Sequence, residues 1–268
     1  MTWPTDRFTL PADRIHLWFC KEQTVKESKT LALYQALLAP DEIEQLARFH
    51  FERDRYRYLL ARCLVRSVLT LYHPVIRPEN WQFKKNPYGR PEIANPVSLP
   101  LYFNLSHSDK MVVMAVAAEQ SIGVDVETIQ RRNTGNELKL ADRFFSPEEA
   151  RQLSALPKSG QKNRFFQLWT LKEAYIKACG KGLSIPLDHF SFSFPDQSAI
   201  ELRFASDNGD SPQNWLFWQF SVEDGFYVSV AYRPAKKNTD IGLTMFNVSP
   251  LHWIEPIFLP IFRQKSRQ

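Results

Sequence analysis

Cysteine is scarce in this chain. Cys20, Cys63 and Cys179 are odd in number, scattered, and form no Cys-x-x-Cys pair. That argues against a disulfide framework or a zinc site and predicts reduced thiols in a cytoplasmic protein. Long apolar runs are missing as well. None approaches the ~20 residues of a membrane span, and the opening M-T-W-P-T-D-R has no charged-then-apolar secretory signal. Acidic residues are in deficit, 29 against 34 Lys and Arg, which leaves a net charge of +5 and a pI near 9.0. Such a balance favours a polyanionic partner: nucleic acid, anionic lipid, a phosphorylated small molecule or an acidic protein. Charge alone does not choose among them. What remains is ordinary: 268 residues with 44% hydrophobic and 24% charged content suit a globular protein of one or two small domains.

Periodicity then orders the chain. A strand is expected over Ile15–Cys20 and a short helix over Leu31–Leu38, with a second helix starting at Pro40 behind Asp41, Glu42 and Glu44. A long helix follows over 54–72, with Leu60, Leu64, Val68 and Leu71 on one side. Arg53, Arg55, Arg57, Arg62 and Arg66 stud this region, as either a solvated basic face or an anion site. Strands are expected over Trp81–Lys85, over Leu101–Leu105 up to Ser106-His107-Ser108, and over Met111–Ala118. Another, over Ile122–Glu127, is joined to the last by a tight turn. N-P-Y-G-R-P reads as a turn with Gly89 at positive φ, and residues 128–141 as polar loop into helix. F-F-S-P-E-E is a helix start, with Ser146 as N-cap, Pro147 first and Glu149 closing a capping box. Phe190–Phe194, Ile200–Phe204, Trp215–Val222 and Tyr227–Tyr232 read as one antiparallel sheet. After a basic linker, A-K-K-N-T-D, Pro256 and Pro260 rule out a long helix in the aromatic tail.

The chemistry gathers around residues 164–186. The helix there ends at Gly180, with Leu168, Leu171, Tyr175 and Ala178 as its apolar stripe and Glu173 and Lys177 one turn apart on the other side. Taken alone, that is also the pattern of a surface ion pair. Upstream, G-V-D-V-E places Asp125 and Glu127 on one face of a strand, roughly 6–7 Å apart, with Val124 and Val126 turned into a core. Two carboxylates so placed either face solvent or share a cation, and oxygen-only ligands suit Mg²⁺ or Mn²⁺. His107 at a strand end fits a structural histidine equally well. Carboxylates for a metal, with Arg, Lys and His for phosphate oxygens, point to phosphoryl or nucleotidyl chemistry.

G-V-D-V-E followed by L-W-T-L-K-E-A-Y-I-K-A-C-G-K-G-L-S-I-P-L resembles the signature of the 4′-phosphopantetheinyl transferase superfamily. N-P-Y-G-R-P, F-N-L-S-H-S, F-F-S-P-E-E and L-L-A-R-C-L-V-R-S-V-L extend the resemblance over residues 40–232, and it is similar to the two-half, monomeric, surfactin-synthetase-activating type. The resemblance implies transfer of the phosphopantetheine arm of coenzyme A to a serine of an apo carrier protein, with release of 3′,5′-ADP. It implies that Asp125, Glu127 and Glu173 hold Mg²⁺, with Glu173 the candidate base and Lys177 neutralising the phosphoryl group. Ser106 and His107 would contact coenzyme A phosphates, Arg57 and Arg90 its nucleotide end, and Lys172 a further phosphate. The partner would be an acidic acyl, polyketide or peptidyl carrier; neither nucleic acid nor a membrane span is expected. Glu42 and Gln45 depart from the pattern, because some members carry lysines there that grip the nucleotide.

Two rivals stand beside this reading. One is a metal-dependent nuclease, against which Glu173 and Lys177 have helical rather than alternating strand spacing. The other is a non-catalytic carrier-binding relic, against which the acidic and basic set is intact. The expected fold is α+β: two similar pseudo-symmetric halves, each a long helix on a small, mainly antiparallel sheet, with the active site in the cleft between them. Their expected limits are 1–119 and 120–233, with 234–268 as a C-terminal extension.

Overall fold

The structure, a computed structural model, describes residues 3–4, 7–22, 28–130, 135–206, 210–236 and 240–265. Parts of the expected loop at 128–141, of the linker at 235–240 and of the extreme tail lie outside the described residues. The chain divides into two compact units, one of residues 1–84, 91–118 and 241–258, the other of residues 85–90, 119–240 and 259–268.

The first unit begins with strand β1 (Arg14–Lys21), followed by helices α1 (Ser28–Gln35), α2 (Pro40–Arg48) and α3 (Glu52–Tyr72). A short ribbon of β2 (Phe83–Lys85) and β3 (Pro91–Ile93) leads into the hairpin β4 (Tyr102–Ser108) and β5 (Met111–Ala117). The core lies where α3 meets the sheet: Leu60, Leu64 and Val68 pack with Trp18, Cys20, Met114 and Val116. Burying such side chains stabilises by about 1.5–3 kcal/mol each. Trp81 stands before the strand it was expected to open. It is buried in this core, and its indole N–H donates to Thr70.

The second unit repeats that order. Strand β6 (Ile122–Thr128) is followed by α4 (Glu137–Phe144), α5 (Pro147–Ser154) and α6 (Lys158–Cys179). Next come the ribbon β7 (Phe190–Ser193) with β8 (Glu201–Phe204) and the hairpin β9 (Leu216–Val222) with β10 (Phe226–Tyr232). The Ser146 cap of α5 forms as its sequence predicts: the hydroxyl accepts from Glu149 N, and the Glu149 carboxylate accepts from Ser146 N. Helix α6 buries Leu168, Leu171, Tyr175 and Ala178 against Phe190, Phe192, Trp215 and Phe217, and ends on Gly180 at φ 69°.

Two expectations are corrected. The four strands of 190–232 form two sheets, because β7 and β8 pair only with each other while β9 and β10 join β6. The short turn after β5 leads straight into β6, but the two strands join different sheets: β5 lies between β1 and β4, and β6 pairs with β10. The tail is no separate extension. Strand β11 (Gly242–Ser249) pairs in parallel with β1, and β12 (Trp253–Ile257) extends that sheet to the order β12-β11-β1-β5-β4. Pro256 is accommodated because β12 is an edge strand. Strand β13 (Arg263–Lys265) closes the other sheet as β13-β9-β10-β6.

Candidate active site

Gly123 sets the geometry. A Cβ there would stand 2.5 Å from Ala178 N and closer still to Ala174 O, so α6 lies directly on β6 at this point. Side chains alternate along a strand, so Asp125 and Glu127 share the face of Gly123 and look along α6. Val124 and Val126 are fully buried on the opposite face, as expected, but Asp125 is buried as well, at 4% exposure. The strand therefore has no solvated face at its centre.

Burying a carboxylate demands a partner. Lys177 supplies it: the ammonium lies 2.7 Å from Asp125 Oδ1 and donates also to Val124 O at 3.3 Å. One turn earlier on the helix is Glu173. Burial first, and then the negative charge of Asp125, push its carboxyl up to about 7; Lys177 opposes this and Glu127 adds to it. Asp125, Glu127, Glu173 and Lys177 are thus one electrostatic cluster, built from one strand and one helix. Among the described residues, no three His, Cys, Asp or Glu side chains stand as a ready-made metal group. The donor chemistry suits a hard divalent cation nonetheless, because three carboxylates offer oxygen only.

Behind the cluster a buried polar network fixes the rotation of α6. Ser229, paired with Asp125 across the strands, donates to Thr170 Oγ1 at 2.8 Å, and Gln219 Nε2 donates to Ser229 Oγ and to Gln167 O. All three of Thr170, Gln219 and Ser229 are fully buried, so each unmade bond would carry a full desolvation penalty.

Lys172 is a correction. It has no exposed surface, and its ammonium donates to Leu187 O (2.7 Å) and Phe190 O (2.6 Å) and pairs with Glu149 at 2.8 Å. An ammonium has three N–H groups, so these partners saturate it and no phosphate reaches it. Burial lowers its pKa, and the Glu149 carboxylate opposes that shift. Glu149 Oε1 in turn accepts from Phe192 N. Lys172 is a strut between α5, α6 and β7.

Arg90, which the resemblance sets at the nucleotide end of coenzyme A, lies in the turn before β3. Its guanidinium donates to four backbone carbonyls, those of Lys177, Ala178, Gln120 and Ile122.

In the first unit, Arg57 on α3 donates to Asp109 O in the turn just after β4, near His107 in chain position. Strand β4 runs through residues 106–108 instead of stopping before them, and alternation sends Ser106 and His107 to opposite faces. His107 is exposed and Ser106 buried. The structure does not bring those two side chains together. Arg66 belongs to neither the solvated nor the anion-binding reading. It is 1% exposed and pairs with Glu42, to which Arg62 also donates. Glu42 is buried and occupied by these arginines, which explains a carboxylate where lysine was looked for.

The sequence reading gave Gly123 and Ala174 no role and Ala178 only a place in the apolar stripe, although the signal of close approach was present: a glycine in the acidic strand and alanines four apart on the helix. Asn86 and the Thr170–Ser229–Gln219 network carry no comparable local signal.

A basic chain with paired strand acids facing a Glu and a Lys of one helix defines a class of charged site suited to phosphate chemistry. Comparison with known proteins narrows the class. Residues 121–231 match the 4′-phosphopantetheinyl transferase superfamily, and residues 25–120 match the 4′-phosphopantetheinyl transferase N-terminal family. The chain is 33% identical over 198 residues to the 4′-phosphopantetheinyl transferase Sfp of Bacillus subtilis, covering 74% of this chain and 83% of that one. It is 36% identical over 178 residues to HetI of a Nostoc species, covering 66% and 73%. It is also 34% identical over 176 residues to gsp of Aneurinibacillus migulanus, covering 66% and 70%. The chain belongs to the 4′-phosphopantetheinyl transferase superfamily, on its Sfp-type branch.

Proposed function

We propose that this enzyme moves the phosphopantetheine arm of coenzyme A onto a serine hydroxyl of an apo carrier protein, and that the second unit supplies the reacting groups. The observation that carries this reading is the single cluster of Asp125, Glu127, Glu173 and Lys177 on β6 and α6. The serine oxygen forms a bond to the phosphorus that bears the arm, the bond to the departing phosphate oxygen breaks, and 3′,5′-ADP leaves. Glu173 is the candidate base for the serine proton; without a cation, burial and the charge of Asp125 push its carboxyl up to about 7, and a bound cation would favour its carboxylate form. The Lys177 ammonium neutralises charge on the phosphoryl oxygens. Asp125, Glu127 and Glu173 would hold Mg²⁺ (or Mn²⁺), which when bound would supply positive charge to the pyrophosphate.

Arg57, His107 and Ser106 are assigned to the phosphates of coenzyme A on the strength of the family resemblance alone. The net charge of +5 suits an acidic carrier. No described helix is long and apolar enough to cross a membrane. Intact-mass analysis of apo carrier proteins incubated with the enzyme, coenzyme A and Mg²⁺ tests the reading. The expected result is a gain of one phosphopantetheine arm, lost with EDTA. No gain on acyl, polyketide or peptidyl carriers would overturn it.

A further inference from the structure

The turn at residues 86–90 belongs to the second unit, and its contacts there are specific. Helix α6 ends at Cys179, the capping Gly180 N–H donates to Lys177 O at 3.1 Å, and the last carbonyls carry the negative end of the helix dipole. Arg90 Nη1 donates to two of them, Lys177 O at 3.1 Å and Ala178 O at 3.2 Å. Asn86 Nδ2 donates to the carbonyl of the capping residue Gly180 at 2.7 Å. Arg90 Nη2 turns the other way, to Gln120 O at 2.8 Å and Ile122 O at 3.1 Å, the backbone that enters β6.

The turn holds itself rigid. Asn86 Oδ1 accepts from the amides of Tyr88 and Arg90, Asn86 N donates to Arg90 O, and Gly89 takes φ 88°. One planar guanidinium therefore ties the end of the helix that carries Glu173 and Lys177 to the start of the strand that carries Asp125 and Glu127.

We propose that Asn86 and Arg90 are positioning residues, which act on the reaction through Lys177 and Asp125 by locking α6 and β6 in register. The proposal rests on the transferase reading above. Lysine cannot replace Arg90 in this task. An ammonium presents three N–H groups from one point, whereas the guanidinium spreads four terminal N–H groups across two elements. A misplacement of about 1 Å at reacting groups can lower turnover by about 100-fold.

The test uses the full chain with Arg90→Lys and Asn86→Ala. Coenzyme A affinity is measured by calorimetry, turnover at saturating coenzyme A and carrier, and backbone hydrogen exchange in the free protein over 120–126 and 174–182. For Arg90→Lys we expect affinity within about threefold of the parent, turnover lowered about tenfold or more, and faster exchange in both segments. Asn86→Ala should move turnover and exchange the same way by less, and it carries the test alone if Arg90→Lys does not fold. Turnover retained with coenzyme A affinity lowered tenfold would make Arg90 a phosphate ligand and overturn the proposal. Unchanged exchange in both segments would overturn it too. A parent protein without transferase activity would instead sink the functional reading, and the exchange data would still decide whether the clamp exists.

Discussion

The two units are built to one plan, and they differ where it matters. In each, a short helix with proline at its first position carries a buried glutamate at its third, Glu42 in α2 and Glu149 in α5. Each glutamate accepts from its own N-cap amide and pairs with a buried cation of the following long helix, Arg66 in α3 and Lys172 in α6. Each cation also binds carbonyls of the chain beyond its helix: Pro78 and Trp81 for Arg66, Leu187 and Phe190 for Lys172.

The first strands correspond as well. Lys21 lies opposite the first residue of β5, and Thr128 lies opposite the first residue of β10. Stepping back from those pairs puts Cys20 in the place of Glu127, Trp18 in that of Asp125 and His16 in that of Gly123. In the first unit the seam between helix and strand is filled by Trp18, whose indole donates to Tyr72 on α3. In the second it is pinched by glycine and alanine and carries Asp125, Glu127, Glu173 and Lys177. One seam is core. The other gives up apolar contact for ionisable groups, as active sites do.

The sharpest way to break this comparison is to mutate both seams. Asp125→Asn or Glu173→Ala should lower carrier modification by about 10²–10³-fold or more while leaving a folded protein, judged by circular dichroism and turnover. Trp18→Ala should do the reverse: a loss of about 3–5 kcal/mol in urea unfolding, with turnover per folded molecule largely kept. Activity surviving both carboxylate changes would end the assignment of the site.

Next in size are the buried struts. Lys172→Ala and Arg66→Ala should each destabilise by about 3–5 kcal/mol, since each leaves a buried glutamate without its cation. Neither should selectively weaken coenzyme A binding. If Lys172→Ala raised the coenzyme A requirement in a protein of unchanged stability, the strut reading would be wrong.

The smallest expected effect is a pH dependence confined to the second unit. Glu173 has a folded pKa near 7, above the usual 4.5, so its neutral form is the one the fold favours. That contribution is present below about pH 4.5 and is lost as pH rises through about 7, up to about 3 kcal/mol in all. Urea unfolding from pH 4 to 8 in EDTA should show the loss, Glu173→Gln should flatten it, and Mg²⁺ should recover part of it at the alkaline end. A profile unaffected by Glu173→Gln would remove the buried-carboxylate account.

Much of this was legible because the signals are local. Pro40 and Pro147, the Ser146 cap, Gly180 after the apolar stripe and the alternation in G-V-D-V-E are each decided within a turn or a strand pair. The opposite faces of Ser106 and His107 follow from the same alternation. Lys172 was misread, and the carbonyl partners of Arg90 went unforeseen, for another reason. A cation in a phosphate-binding pattern looks the same whether its partners are phosphates or carbonyls far away in the chain, such as Leu187 or Gln120.

By itself the sequence determined most of the elements up to Tyr232, the helix caps at Ser146 and Gly180, the acidic strand and basic helix face, and the family. Each rests on short-range periodicity or on a motif whose residues sit on one element. Only the tertiary structure decided which cations serve the site and which serve the frame, that the tail completes both sheets, and that Gly123 lets α6 press Lys177 onto Asp125. Burial and close approach are properties of pairs distant in sequence, and no local rule contains them.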